Sequence, residues 1–175
     1  DIEYNAEVLP YDLNTPSFSD YALKSRAIYI PDGASAAFHQ SEVLDFPIGT
    51  IILKSFYYSA DVREPTKNKR LLETRLLVNS ESGWKAWPYL WAEDGSDATL
   101  HVGGAVLDIE VVDFEGVTRN ASYLVPQRNQ CSKCHKLKDE NGEGRIVPIG
   151  PTASRLHREF DYESGPENQL VKLTA

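Results

Sequence analysis

The chain has 175 residues, of which 41% are hydrophobic and 25% charged, and its formal net charge is −8. This length suits one compact domain with enough apolar residues for a core, and the acidic balance argues against nucleic acid or an anionic membrane as a partner. No run of about 18 apolar residues occurs, so we expect no membrane span. No signal peptide is recognisable at Asp1, and we expect a module of a larger protein.

The first 48 residues are dominated by turn signals. Pro10, Pro16 and Pro47 each interrupt the pattern, and residues 31–33 (Pro-Asp-Gly) predict a further turn. Residues 27–30 are the one short stretch with strand character. We therefore expect this segment to wrap around the body of the protein.

From residue 49 to residue 126 the pattern predicts strands, because β-branched and aromatic residues recur between polar turns. A polar turn at 79–83 and the pair Glu115-Gly116 predict antiparallel hairpins. The predicted strands are 50–58, 71–78, 84–91, 105–114 and 117–125.

After residue 126 the pattern predicts short helices. They cover 127–137, 152–160 and 166–174, the last beginning at Pro166, and a polar loop occupies 138–145. The sequence thus predicts an α+β fold and a single domain over 1–175. A β-sandwich-like body (1–126) carries a small, mainly helical C-terminal region (127–175) that binds the cofactor discussed next.

The most specific motif is the C-x-x-C-H run from Cys131 to His135, which is an attachment motif for a c-type haem. Two thiols three positions apart can each form a thioether with a haem vinyl group, and the adjacent histidine then serves as an axial iron ligand. Half of a zinc site and a redox-active dithiol remain alternatives, although neither requires the trailing histidine. The sequence predicts one covalent haem c held by Cys131, Cys134 and His135.

The sixth iron ligand is constrained by the absence of methionine, which excludes His/Met ligation within this chain. The distal candidates are His157, downstream of the motif, and Lys54, inside an otherwise apolar strand where a neutral amine could bind iron. Pairing of Lys54 with Glu73 is the competing explanation. His39 and His101 are ranked lower as surface residues, and a water or an open position also remains.

Residues 149–157 are similar to the Gly-Pro loop of class I cytochromes, where a backbone carbonyl on the proximal side accepts the Nδ1 proton of the axial histidine. This similarity puts Pro151 in a proximal loop and His157 on the wrong side for a distal ligand. Arg145 and Arg155 flank the loop and are candidate partners of the haem propionates, with ordinary surface exposure as the equal alternative.

Several runs in order resemble a family of bacterial c-type cytochrome domains, and the likeness covers most of the chain. The runs are LNTPSFSDY (13–21), FPIGT (46–50), ETRLLV (73–78), NQCSKCH (129–135) and ENQL (167–170). Members are modules of secreted proteins in polysaccharide-degrading bacteria, proposed as electron donors to lytic polysaccharide monooxygenases. The resemblance implies a mono-haem electron carrier with a redox partner protein such as a copper-dependent lytic polysaccharide monooxygenase.

The leading hypothesis is therefore a low-potential electron-transfer domain rather than an enzyme. Because bacteria attach haem covalently outside the cytoplasmic membrane, a periplasmic, secreted or cell-surface location is expected. One alternative is a haem-based enzyme or a gas or peroxide sensor with an open sixth position. Another is a carbohydrate-binding module that uses Trp84, Trp87 and Trp91, although core packing is the simpler use of these side chains.

Overall fold

The computed structural model describes residues 2–19, 21–40, 42–138 and 142–175. Its regular structure is mostly β, and every pair of neighbouring strands in this part of the chain is antiparallel. The strands are β1 (Val8–Pro10), β2 (Leu23–Tyr29), β3 (Ile51–Ser59), β4 (Lys69–Ser80), β5 (Gly83–Trp91), β6 (Ala98–Leu100), β7 (Ala105–Val112), β8 (Thr118–Val125), β9 (Lys136–Lys138), β10 (Gly144–Ile146), β11 (Glu159–Tyr162) and β12 (Gly165–Asn168). The helices are α1 (Cys131–His135), α2 (Ala153–Leu156) and α3 (Gln169–Thr174), with a 3-10 turn at Arg128–Gln130.

Strands β1 to β6 form one sheet in sequential order. The strands predicted at 50–58, 71–78 and 84–91 correspond to β3, β4 and β5, and the hairpin predicted between the last two is confirmed. Strands β1 and β6 were not predicted because three residues are too few to show an alternating pattern.

One face of this sheet carries both hydrophobic clusters. Ile52, Lys54 and Phe56 share that face because alternate residues of a strand point the same way. Ile52 belongs to the larger cluster, which includes Leu156 of α2. Phe56 belongs to a second cluster with Tyr123 of β8. Lys54 therefore lies between two apolar clusters.

The hairpin of β7 and β8 is confirmed and packs on the Phe56 end of the sheet. Ile109 and Tyr123 supply its contacts with Phe56 and Leu72. The predicted β-sandwich is not confirmed, since this second sheet has two strands against six in the first.

The mainly helical C-terminal region predicted for 127–175 is not confirmed either. A single helix was predicted over 127–137, but the structure has the 3-10 turn followed by α1. Helix α1 ends at His135, and β9 begins at the next residue. Of the predicted loop 138–145, residues 139–141 lie outside the described residues, while Lys138 and Gly144 pair in a short hairpin.

The two remaining predicted helices are shortened by a hairpin between them. Helix α2 ends at Leu156, and β11 pairs with β12 through a tight turn completed by Gly165 at a φ of 105°, which glycine adopts without a steric penalty. Asn168 caps α3, because its side chain accepts hydrogen bonds from the amides of Leu170 and Val171. The helix thus begins after the cap and not at Pro166.

Gln169 connects the two ends of the chain. Its side chain is fully buried; Oε1 accepts the amide of Asp12 at 2.6 Å, and Nε2 donates to the carbonyls of Asp12 (3.1 Å) and Leu156 (3.2 Å). The N-terminal segment is thereby held against α2. Among the described residues no helix is long and apolar enough to cross a membrane.

Candidate functional site

A cavity of about 440 Å³ lies on the core-facing side of the six-stranded sheet. Strands β2 to β5 form its floor, and α1, the loop at 148–151 and the N-terminal segment form its walls. Cys131, Cys134 and His135 all line it. Its volume lies within the range of small-molecule and cofactor sites.

His135 is held by a hydrogen bond to the backbone of Val147. Its Nδ1 atom lies 2.9 Å from the Val147 carbonyl oxygen, and the Val147 amide donates to the His135 carbonyl at 2.8 Å. Because a carbonyl only accepts, Nδ1 carries the proton and the Nε2 lone pair is left for a ligand. Burial lowers the pKa of His135, against the effect of the Val147 carbonyl, and favours the neutral imidazole that binds metals.

The loop that follows Val147 restricts the orientation of the Val147 carbonyl group. Pro148 and Pro151 are buried and line the cavity. A residue that precedes a proline is restricted to extended conformations, so Pro148 limits the orientation of the Val147 peptide. Pro151 thus lies in the loop that follows Val147, while Val147 itself, whose carbonyl is bonded to His135, was not singled out from the sequence.

The two cysteines lie on adjacent turns of α1. Cys131 is half-buried and Cys134 is exposed, and both are free thiols. Burial raises the pKa of the Cys131 thiol, whereas reactive dithiols have lowered values. Within the described ranges, no group of three or more His, Cys, Asp and Glu side chains is placed to hold a metal ion.

Three cations form a row across the floor of the cavity. Arg26 on β2 is directly opposite Lys54 on β3, and Lys54 is directly opposite Arg75 on β4. All three line the cavity. Lys54 was predicted from the sequence and the two arginines were not, although the same signal, a charged residue at an inward-facing strand position, marks all three.

The two arginines of this row have carboxylate partners. Arg26 donates to Asp12 at 2.9 Å. Arg75 donates through Nε (2.8 Å) and Nη2 to the fully buried Glu73, which also accepts the hydroxyl of Tyr123. Glu73 therefore already accepts three hydrogen bonds from the side chains of two residues.

Lys54 is not paired with Glu73, which was the competing sequence prediction. No carboxylate of the described residues lies within ion-pair distance of its Nζ, which is 5.0 Å from the centroid of the Phe56 ring. Burial, followed by the charges of Arg26 and Arg75, lowers the pKa of Lys54 to about 8, against a small opposing effect of Glu73. The amine is accordingly easier to deprotonate than a surface lysine.

Other candidates from the sequence lie away from this cavity. His157 is exposed just after α2, and Arg145 is exposed on β10. Arg155 is half-buried and donates to the carbonyl of Ile149 at 2.8 Å. His39 is exposed, and Nε2 of His101 lies 2.9 Å from the carbonyl of Gly104. None of these five residues is among those that line the cavity.

The three tryptophans are half-buried and have different partners. Trp84 packs edge-on against Phe46, with 6.1 Å between ring centroids. The guanidinium of Arg128 lies 3.9 Å from the centroid of Trp87. Trp91 donates its indole hydrogen to Thr74. By strand alternation Trp84 is on the cavity side of β5 and the other two are on the opposite side, so they do not form one flat surface.

The residues around the cavity fit a c-type haem. Two thiols and one neutral imidazole are the protein ligands that such a group needs. Phe18, Leu124 and Ile149 also line the cavity and expose 72%, 63% and 39% of their surface, more than large apolar residues usually do. A flat apolar cofactor would cover this patch.

No protein family, curated protein or solved structure matches this chain. The function of this chain is therefore inferred from the geometry of the cavity and from the motif in its wall.

Proposed function

We propose that this chain is a mono-haem c-type cytochrome domain that carries electrons. The observation that supports it most directly is the position of His135. Nδ1 of His135 is hydrogen-bonded to the carbonyl oxygen of Val147, and the His135 side chain lines the same cavity as Cys131 and Cys134. The cysteines would form the two thioethers and Nε2 of His135 would bind the iron. When bound, haem supplies a one-electron ferric/ferrous couple.

Two features of the axial ligation would lower the potential of that couple, against the opposite effect of the cations Arg26, Lys54 and Arg75 in the cavity wall. The hydrogen bond from Nδ1 of His135 to the carbonyl oxygen of Val147 makes the imidazole a stronger electron donor to iron, which favours the ferric state. The chain has no methionine that could raise the potential by His/Met ligation.

Lys54 is the preferred sixth ligand over His157. Its side chain lines the cavity, it has no carboxylate partner among the described residues, and its pKa is lowered to about 8, so a neutral amine is accessible. His157 is exposed outside the cavity wall. The iron would then have His/Lys ligation.

The redox partner follows from the resemblance and not from the cavity. By that resemblance the electrons would pass to a secreted redox enzyme, such as a copper-dependent lytic polysaccharide monooxygenase, outside the cytoplasm. The acidic chain, with a formal net charge of −8, would favour a partner with a basic docking surface. Mixing reduced protein with such an enzyme and following haem reoxidation tests this; no acceleration over the protein alone would contradict it.

A second candidate function is a haem enzyme or sensor with an open sixth position. Besides His135 and the cysteines, the described residues that line the cavity include two lysines, Lys54 and Lys133, of which Lys133 is part of the C-x-x-C-H motif itself, and no second histidine. If Lys54 does not bind iron, the sixth position is open to a small external ligand.

The test is to produce the protein in a host that attaches haem covalently and to record oxidised and reduced visible spectra. We expect covalent haem with a six-coordinate, low-spin spectrum, lost in the Cys131→Ala/Cys134→Ala variant. Lys54→Leu should become high-spin, because leucine has no donor atom for iron, whereas His157→Gln should match the wild type. A wild type without covalent haem would contradict the function, and a high-spin wild type that binds carbon monoxide rapidly would favour the second candidate.

A further inference from the structure

Arg26 has a buried hydrogen-bond donor for which the described residues provide no acceptor. The residue is 5% exposed, and its Nη1 donates to Asp12 at 2.9 Å. Its Nη2 is also buried, and no acceptor among the described residues lies within hydrogen-bond distance of it. Buried guanidinium nitrogens normally have acceptors, so this one indicates a missing anionic or carbonyl partner.

Arg26 lies on the wall of the cavity that holds the C-x-x-C-H motif. The other arginine of the row, Arg75, already directs Nε and Nη2 to the two carboxylate oxygens of Glu73. Arg26 is therefore the arginine in this wall with a free donor that is shielded from water.

Arg26 lies far from the cysteines, because it is on a different strand of the sheet from the one that anchors them. The turn that precedes Cys131 is anchored to β5, because Arg128 donates to the carbonyl of Ala86 at 2.8 Å. Arg26 is on β2, three strands away, and neighbouring strands are about 4.8 Å apart, which gives roughly 14 Å. In a haem the vinyl-derived edge and the propionate edge are on opposite sides of the ring. A haem attached at the cysteine end would thus direct its propionates away from that end.

We propose that Arg26 binds a haem propionate through Nη2, while Nη1 remains on Asp12. This assignment rests on the proposed haem function and adds a binding residue to it. It replaces Arg145 and Arg155, which lie outside the cavity wall. The arginine bridges two carboxylates, one from the protein and one from the cofactor, and its charge keeps the partly buried propionate ionised.

The test compares Arg26→Gln with Arg145→Gln in protein that carries covalent haem. Both substitutions remove one positive charge, but Arg145 is exposed on β10 and does not line the cavity. We expect Arg26→Gln to shift the propionate bending band in the resonance Raman spectrum and to lower the reduction potential, because a cation next to the haem favours the ferrous state. Arg145→Gln should leave the band in place and change the potential much less.

Two further variants separate binding from folding. Arg26→Lys keeps the charge without the two-pronged donor geometry, so it should retain most of the potential and still shift the Raman band. Asp12→Asn removes the negative charge that faces Nη1 but keeps an acceptor oxygen, and it should leave the propionate band closer to that of the wild type than Arg26→Gln does. Either variant keeps the assignment testable if Arg26→Gln fails to fold.

Results that overturn the role of Arg26 differ from results that overturn the proposed haem function. Covalent haem in the wild type, with a propionate band unchanged in Arg26→Gln and Arg26→Lys, would overturn the Arg26 assignment alone. A potential that depends on added acetate at constant ionic strength, and loses this dependence in Arg26→Gln, would show that Arg26 binds a free anion and would also overturn it. Absence of covalent haem in the wild type would instead overturn the proposed function.

Discussion

Nδ1 of His135 lies 2.9 Å from the carbonyl oxygen of Val147, twelve residues further along the chain. The Val147 amide donates back to the His135 carbonyl at 2.8 Å, so two hydrogen bonds join these residues. One defines the tautomer of the imidazole and the other holds the end of α1 next to the loop at 148–151. The direction in which Nε2 points is therefore set by a loop and not by α1 alone.

Pro148→Gly should loosen this arrangement. Without the proline, Val147 gains access to other backbone conformations and its carbonyl is less firmly directed at His135. We expect the reduction potential of the haem-loaded protein to rise, because a weaker hydrogen bond makes His135 a poorer donor to ferric iron. The free energy of unfolding should fall by about 1–2 kcal/mol. Protein-film voltammetry and urea denaturation measure the two effects.

The control for Pro148→Gly is Pro166→Gly, at an exposed position on β12. It introduces the same change in backbone freedom without contact with the cavity. If both variants shifted the potential equally, the Val147 carbonyl would have no special influence on His135.

The free energy of unfolding of the haem-free chain should rise with pH because of Lys54. Its folded pKa is about 8, below the ordinary 10.5, so the unfolded state binds more protons between these values. Below about pH 8 the charged amine destabilises the fold, by on the order of 1–3 kcal/mol, and this penalty disappears as pH rises to 10.5. Urea denaturation of the Cys131→Ala/Cys134→Ala chain at pH 7 and pH 10 measures the change.

Lys54→Met in the same background is the comparison. It removes the buried charge and keeps an unbranched apolar side chain, so it should be more stable than its parent at pH 7, with the difference shrinking towards pH 10. A constant difference between the two proteins over that range would contradict the lowered pKa.

Glu73→Gln should be strongly destabilising. Glu73 is fully buried and accepts hydrogen bonds from Arg75 and Tyr123, so its loss leaves a partly buried guanidinium without a counter-charge. We expect the free energy of unfolding to fall by about 2–4 kcal/mol. Glu93→Gln is the control, since Glu93 is 85% exposed and 3.6 Å from Arg70, and should cost about 0.5 kcal/mol or less. Equal effects of the two substitutions would show that the buried ion pair is not important for stability.

Gln169→Leu tests the link between the two ends of the chain. The substitution keeps a similar volume but leaves the amide and carbonyl of Asp12 and the carbonyl of Leu156 without their partner. We expect a loss of about 2–4 kcal/mol in urea denaturation. Gln40→Leu, at an exposed position, should be close to neutral. A neutral Gln169→Leu would mean that water or other groups can replace these bonds.

Local pattern was enough to predict the long strands and the two main hairpins. Strands β3, β4 and β5 alternate over nine to twelve residues, which is long enough for periodicity to be visible. The C-terminal region was harder, because its helices have four to six residues and depend on caps and turns. Asn168 was a readable N-cap signal, while Pro166 was the more conspicuous residue and was preferred wrongly.

The sequence by itself determined the chemistry that we propose for this site. The spacing of Cys131, Cys134 and His135 along one short segment specifies the attachment motif, and the absence of methionine limits the axial ligands. These are properties of neighbouring residues and of composition, which need no knowledge of the fold.

Only the tertiary structure decided which distant groups face that motif. Arg26, Lys54 and Arg75 come from three strands, and Val147 comes from a loop that follows the motif. Their meeting depends on strand register, since a shift of any one of these strands by one residue would turn its cation to the opposite face of the sheet. Register is set by packing across the whole core, so it could not be read from any one segment.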